Sequence, residues 1–251
     1  MKYSKPLLAA LLLAVPFGLF AQETQDNTLT EEERQYRDSI AAVNAANQTT
    51  REAQEAYHAG VAKLEQKSYQ AAVTAFDQAI ASDQAFVEAY YNRGVAYLEM
   101  KKYKPARDNF NMVLELNEQH TDAFKRRAEV YLALRKYTNA LSDYMEVIGL
   151  NPKDAEAYYQ LGGVYFRQGE YAKASDALTN AIGINAKHAR AYNDRGSCYR
   201  KLEQFPKALA DYEKAAALDG SLAFVHNNIG SVKRKMKDYE GAIRAYNRAI
   251  D

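Results

Sequence analysis

The sequence predicts an all-α chain built as an α-solenoid of six helix–turn–helix units. Three observations predict it. An aromatic residue recurs every 34 residues, at Tyr69, Tyr103, Tyr137, Tyr171, Phe205 and Tyr239. An alanine follows each by three residues, at Ala72, Ala106, Ala140, Ala174, Ala208 and Ala242. A small residue stands earlier in every unit, at Gly60, Gly94, Ala128, Gly162, Gly196 and Gly230. A further ladder runs through Phe76, Phe110, Tyr144, Leu178, Tyr212 and Tyr246, and no insertion interrupts the period. A fixed period of this length is the mark of stacked repeats, each too small to bury its own apolar face.

The totals agree with a folded, water-facing chain. Of 251 residues, 47% are hydrophobic and 26% charged. There are 20 Tyr and no Trp, which suggests one aromatic position reused. A net charge of +1 gives no whole-chain case for nucleic acid or an anionic membrane. The single cysteine, Cys198, cannot form an internal disulfide, so packing holds the array.

Residues 1–21 read as a secretory signal. Lys2 and Lys5 form a positive head, Leu7 to Phe20 an apolar run broken by Pro16 and Gly18, and Ala21 a small residue at the cleavage point. The competing reading is a membrane anchor, but the run has 14 residues, whereas a spanning helix needs about 20. No Cys follows the run, which argues against a bacterial lipid anchor there. Removing Lys2 and Lys5 from 33 basic residues leaves 31 against 32 acidic ones, a net charge of −1. The expected location is the periplasm or the exterior.

Residues 22–52 form a polar lead-in. Thr30 followed by Glu33 reads as a capping box. It predicts a helix over 31–47 with a thin apolar stripe of Tyr36, Ile40 and Val43, ended by Gln48-Thr49-Thr50. The array then occupies 53–251, in units 53–86, 87–120, 121–154, 155–188, 189–222 and 223–251.

Each unit carries two helical patterns. In 87–120, Tyr90, Tyr97 and Leu98 share a face of the first helix. Lys101-Lys102 marks a turn, and Tyr103, Ala106, Phe110, Val113 and Leu114 share a face of the second. Spacings of three and four are helical. Pro105 and Pro206 fall in the first turns of second helices, where a missing N–H costs nothing. The small residues mark close approach of helix axes, with the large aromatics filling the space beside them.

The pattern resembles the tetratricopeptide repeat family over 53–251. Position 4 of the units reads Ala56, Tyr90, Phe124, Tyr158, Tyr192 and His226. Position 27 reads Ala79, Val113, Val147, Ala181, Ala215 and Ala249. Departures exist: only Pro152 fills position 32, and position 11 is Lys63 and Lys233 in the end units, a polar ending that suits a solenoid terminus. The resemblance implies a right-handed α-α superhelix with first helices lining a concave face.

Two positions switch together within the chain. Position 7 is Ala59, Arg93, Arg127, Leu161, Arg195 and Ile229; position 23 is Ala75, Asn109, Asp143, Ala177, Asp211 and Ala245. Arg goes with Asp or Asn, and an apolar residue goes with Ala. The expectation is that the two face each other, as salt bridges Arg127–Asp143 and Arg195–Asp211 and a hydrogen bond Arg93–Asn109.

No catalytic set emerges, and the chain reads as non-enzymatic, with no cofactor and no metal. His58, His120, His188 and His226 are too scattered for ordinary metal spacing. Cys198 stands where other units have Ala62, Ala96, Val130, Val164 and Val232, which makes it a core residue. Gly162-Gly163 lies mid-helix and is not a phosphate loop.

By the resemblance, the partner-binding residues of the concave face are Tyr57, Tyr91, Lys125, Tyr159, Arg190, Asn193, Asn227, Arg200 and Arg234. Tyr and Asn suit an extended peptide, offering aromatic area at low entropy cost and amides for its backbone. The two-carboxylate clamp of some family members is broken: Lys125 is present, but Glu129 replaces Asn and Asp194 replaces Arg. Ile243, Tyr246 and Ile250 are expected to leave an apolar edge for a partner or a second copy. The expected function is a protein–protein interaction scaffold of the bacterial periplasm or envelope, with a protein or extended peptide as partner and no nucleic acid. The alternative is a periplasmic carrier holding extended substrates during export or surface assembly.

Overall fold

A computed structural model describes residues 30–250; the signal expected at 1–21 lies outside the described residues. Among them the chain is all helical, with no strand. Two compact units divide the described residues, with the boundary between Ala46 and Asn47. The helices are α1 (Glu31–Glu65), α2 (Tyr69–Ser82), α3 (Val87–Glu99), α4 (Tyr103–Leu116), α5 (Thr121–Ala133) and α6 (Tyr137–Leu150). They continue as α7 (Ala155–Gln168), α8 (Tyr171–Ile184), α9 (Ala189–Lys201), α10 (Phe205–Leu218), α11 (Ala223–Lys235) and α12 (Tyr239–Asn247).

The lead-in departs from expectation. Its capping box forms: Thr30 N–H donates to Glu33 at 2.8 Å, and Glu33 N–H to the Thr30 hydroxyl at 3.3 Å. The predicted break at Gln48-Thr49-Thr50 is absent, because α1 runs unbroken to Glu65. Gln48 bonds Glu52 and Arg51 pairs with Glu55, each at 2.8 Å and four residues apart. Such pairs support a helix, and threonine lowers helix propensity without ending it.

From α2 to α12, each helix packs on the next in sequence, and first helices of adjoining units touch, α3 on α5, α7 on α9, and α9 on α11. The small residue at position 8 makes this approach feasible. A Cβ on Gly94 would lie 2.8 Å from the Phe110 ring, and one on Gly162 would lie 2.7 Å from Leu178 and 3.2 Å from the Ala174 carbonyl. The position 20 alanines from Ala72 to Ala242 are buried throughout.

Both turn types are as periodic as the helices. After each first helix, position 15 is left-handed: Lys67, Lys101, Arg135, Glu203 and Lys237 have φ between 56° and 64°, and Gly169 has φ 81°. The next N–H reaches back five residues, as in Lys102 to the Tyr97 carbonyl at 2.8 Å, which closes a Schellman motif. Between units, Asp83, Asn117, Asn151, Asn185 and Asp219 each accept the N–H two residues on. His120, Asp154 and His188 then cap α5, α7 and α9 by accepting the N–H of Ala123, Ala157 and Ala191. Two of the four histidines thus have a structural role.

At the C-terminal end, Ile243 is 60% and Ile250 83% exposed, with Tyr239 beside them. Tyr246 differs from expectation. Its ring turns inward over Gly230, where a Cβ would lie 2.6 Å from it. It belongs to the packing and not to the apolar edge.

Candidate functional site: the face of the first helices

Two seams organise the array, and they separate structural residues from those free to meet a partner. In the first, Arg127 grips Asp143 with both ends of its guanidinium: Nε donates to Oδ2 at 3.0 Å and Nη2 to Oδ1 at 2.6 Å. Arg195 grips Asp211 likewise, at 2.8 Å for each bond. Arg93 Nε donates to Asn109 at 2.8 Å. The rings at positions 4 and 11 flank the guanidinium: Phe124 and Tyr131 lie 5.5 and 6.0 Å from Arg127, and Tyr192 and Tyr199 lie 5.5 and 5.8 Å from Arg195.

Each arginine also has a second polar partner, which the sequence reading missed. Arg93 pairs with Asp77, Arg127 donates to Asn111 at 2.7 Å, and Arg195 to Thr179 at 3.0 Å. All three partners occupy position 25 of the preceding unit, so one side chain ties three helices. The signal was only partial: position 25 is Met145 before the apolar Leu161, but Glu213 before the apolar Ile229. Burial pushes the Asp143 carboxyl above its ordinary value, against the opposing pull of Arg127.

The second seam joins first helices across units, position 5 to position 6 of the next. Asn92 donates to the Tyr57 hydroxyl at 3.0 Å, the Tyr159 hydroxyl to Asp194 at 2.9 Å, and Asn228 to the Asn193 carbonyl at 2.8 Å. Burial, with the charge of Asp194 behind it, pushes the Tyr159 hydroxyl well above its ordinary range, so it remains a donor. Tyr91 stacks on His120 with centroids 5.1 Å apart, and Tyr159 lies 4.7 Å from His188. Lys125 Nζ sits 2.7 Å from Asp154, the residue that caps α7.

The expected contact residues therefore fall into two groups. Tyr57, Tyr159 and Asn193 bond to the next unit, and Tyr91 and Lys125 engage His120 and Asp154, the last residues of their own units, which cap the helices that follow. Asn193 is only 6% exposed, and its amide also donates to Asp194 at 2.9 Å. Arg190, Asn227 and Arg234 are exposed, and Arg200 is half-buried.

A cleft of about 420 Å³ opens in the middle of this face, lined by Leu132, Tyr159, Gln160, Gly163, Phe166, Arg167, Asp194 and Ser197. A smaller one of about 130 Å³ adjoins it and shares Leu132 and Gln160. Another, of about 490 Å³, lies between α10, α11 and α12, where His226, Ile229, Lys233 and Ala245 replace the flanked arginine of other units.

Among the described residues, no group of three His, Cys, Asp or Glu side chains is placed to hold a metal. Cys198 is fully buried, and burial pushes its thiol up to about 12, so it stays protonated at neutral pH. Among the described residues, no helix is long and apolar enough to cross a membrane.

Fold and surface together define a helical-repeat protein whose first helices are bonded to one another along one face. The chain belongs to the tetratricopeptide repeat family: models of this repeat match residues 60–101, 87–120, 128–169, 153–221 and 187–251. No curated protein matches the chain as a sequence relative. Solved structures share the fold. MamA 41-end from Desulfovibrio magneticus RS-1 is 23% identical with a TM-score of 0.64, covering 68% of this chain and 97% of its own. YrrB, described as a TPR protein with an unusual peptide-binding site, is 20% identical with a TM-score of 0.60, covering 70% and 91%. PilF of Pseudomonas aeruginosa is 14% identical with a TM-score of 0.65, covering 78% and 90%.

Proposed function

We propose that this protein is a non-enzymatic scaffold of the bacterial periplasm or cell envelope, exported by the signal in residues 1–21, that holds a partner segment along the face of its first helices. The observation that carries the reading is the open central cleft on a face already fixed by its own bonds. Tyr159, Asp194, Asn193 and Asn228 are locked to one another before any partner arrives. A surface ordered in advance loses less entropy on binding. The peptide-binding site described for YrrB, similar in fold, supports an extended segment as the ligand.

Site-directed photo-cross-linking in the producing cells tests the reading. Benzoylphenylalanine is placed at Arg190 or Asn227 on first helices, and at Asp176 or Ala210 on second helices, all exposed. One discrete adduct from the first-helix positions, absent from the others, is the expected result. A smear of many weak adducts favours the carrier, and adducts only from second helices contradict the face.

A further inference from the structure

Unit 4 lacks a side chain that its neighbours carry. Position 9 reads Val61, Val95, Glu129, Gly163, Ser197 and Ser231. A Cβ on Gly163 would meet nothing within 4 Å, so the space above it is open. Leu132 and Phe166 supply apolar wall, and Asp194 supplies a carboxylate.

The state of that carboxylate decides what the cleft accepts. Asp194 is held by two neutral donors, the Tyr159 hydroxyl and the Asn193 amide, each at 2.9 Å. It is half-buried and forms no ion pair with any described residue. Arg167 lines the same cleft without pairing to it. The adjoining cleft adds Glu129, paired with Arg126 at 3.0 Å, Glu156, and Lys125, paired with Asp154 at 2.7 Å, so both cations there are already matched. A carboxylate fixed by neutral bonds and partly withdrawn from water attracts a cation more strongly than a solvated one does. Apolar walls beside it fit the methylene stem of a long basic side chain.

We propose that the cleft at Gly163 is a subsite for a lysine or arginine side chain of the extended partner, with Asp194 as counter-ion and Leu132 and Phe166 against the stem. This rests on the first-helix face being the binding face and adds the chemistry it selects. Two substitutions address it with little harm to the fold. Gly163→Val installs the residue that units 1 and 2 already carry as Val61 and Val95. Asp194→Asn keeps the size and the acceptor for Tyr159, gives up only the bond from the Asn193 amide, and removes the charge.

The test is selection of a phage-displayed random heptapeptide library on the full-length protein, with both variants in parallel. The wild type is expected to enrich one fixed basic position. The synthetic consensus peptide should bind at least tenfold more weakly to each variant, with melting temperatures unchanged within a few degrees. Peptides without a basic preference, bound equally by all three proteins, overturn the subsite and leave the binding face standing. Recovery of no peptide also overturns the subsite, and the cross-linking pattern then decides the face independently.

Discussion

Units 3 and 4 share a fold and differ in almost everything that fastens it. Unit 3 ties three helices through Arg127, Asp143 and Asn111. Unit 4 has Leu161 and Ala177 at the corresponding positions, with Met145 of the preceding unit at the third, and Leu161 and Ala177 are buried. On the other face, unit 3 carries Glu129, paired with Arg126 at 3.0 Å, where unit 4 carries Gly163 above an open cleft. The comparison teaches that the 34-residue frame tolerates an ionic or an apolar fastening. The choice can change without moving the first helices apart.

The largest expected effect breaks one half of the ionic fastening. Arg127→Leu alone leaves Asp143 buried without its partner and should cost about 3–5 kcal/mol. Adding Asp143→Ala reproduces the unit 4 combination and should recover most of that loss. Denaturant titration of the three proteins checks both, and equal stability of single and double variants would show that the positions do not act as a unit.

Overpacking comes next. Ala140→Leu puts a branched side chain where none of the methyl surface is exposed and should cost about 1–3 kcal/mol; unchanged thermal stability would contradict the close approach.

The α7 cap should matter less. Asp154→Ala removes a cap worth about 1 kcal/mol. Burial alone would raise the Asp154 carboxyl, but Lys125 and the Ala157 N–H outweigh it and hold it below its ordinary 3.8. The stabilisation is therefore present above that value and lost as pH falls through the lower folded value. The difference between wild type and Lys125→Met should shrink in acid, as denaturant midpoints at pH 6 and pH 2.5 will reveal.

The smallest effect belongs to the turns. Unit 4 meets the left-handed position with Gly169, whereas unit 2 strains Lys101 at φ 57°. Lys101→Gly relieves that strain but frees the unfolded chain, for a net gain of about 0.5 kcal/mol. A loss on differential calorimetry would show that Lys101 contributes more than its backbone.

Much of this was legible in the sequence because it repeats. The 34-residue ladders gave helices and core positions, and the Arg–Asp alternation could be read within one chain. The seam between first helices was not legible. Its bonds join residues 35 apart through different types, Tyr with Asn, Tyr with Asp, Asn with Asn, so no single ladder betrays it. That is why Tyr159 and Asn193 looked free for a ligand although they are already engaged. The lead-in was misread for a different reason. Its polar stretch resembles a linker, but pairs four residues apart carry α1 through it.

The central claim is that stability follows the arginine fastening while recognition follows the cleft. The most direct measurement is the yield of the partner adduct from benzoylphenylalanine at Asn227, compared among wild type, Gly163→Val and the Arg127→Leu/Asp143→Ala double variant. The adduct should be lost in Gly163→Val, which remains folded, and kept in the double variant. An adduct retained in Gly163→Val and lost in the double variant would contradict the claim.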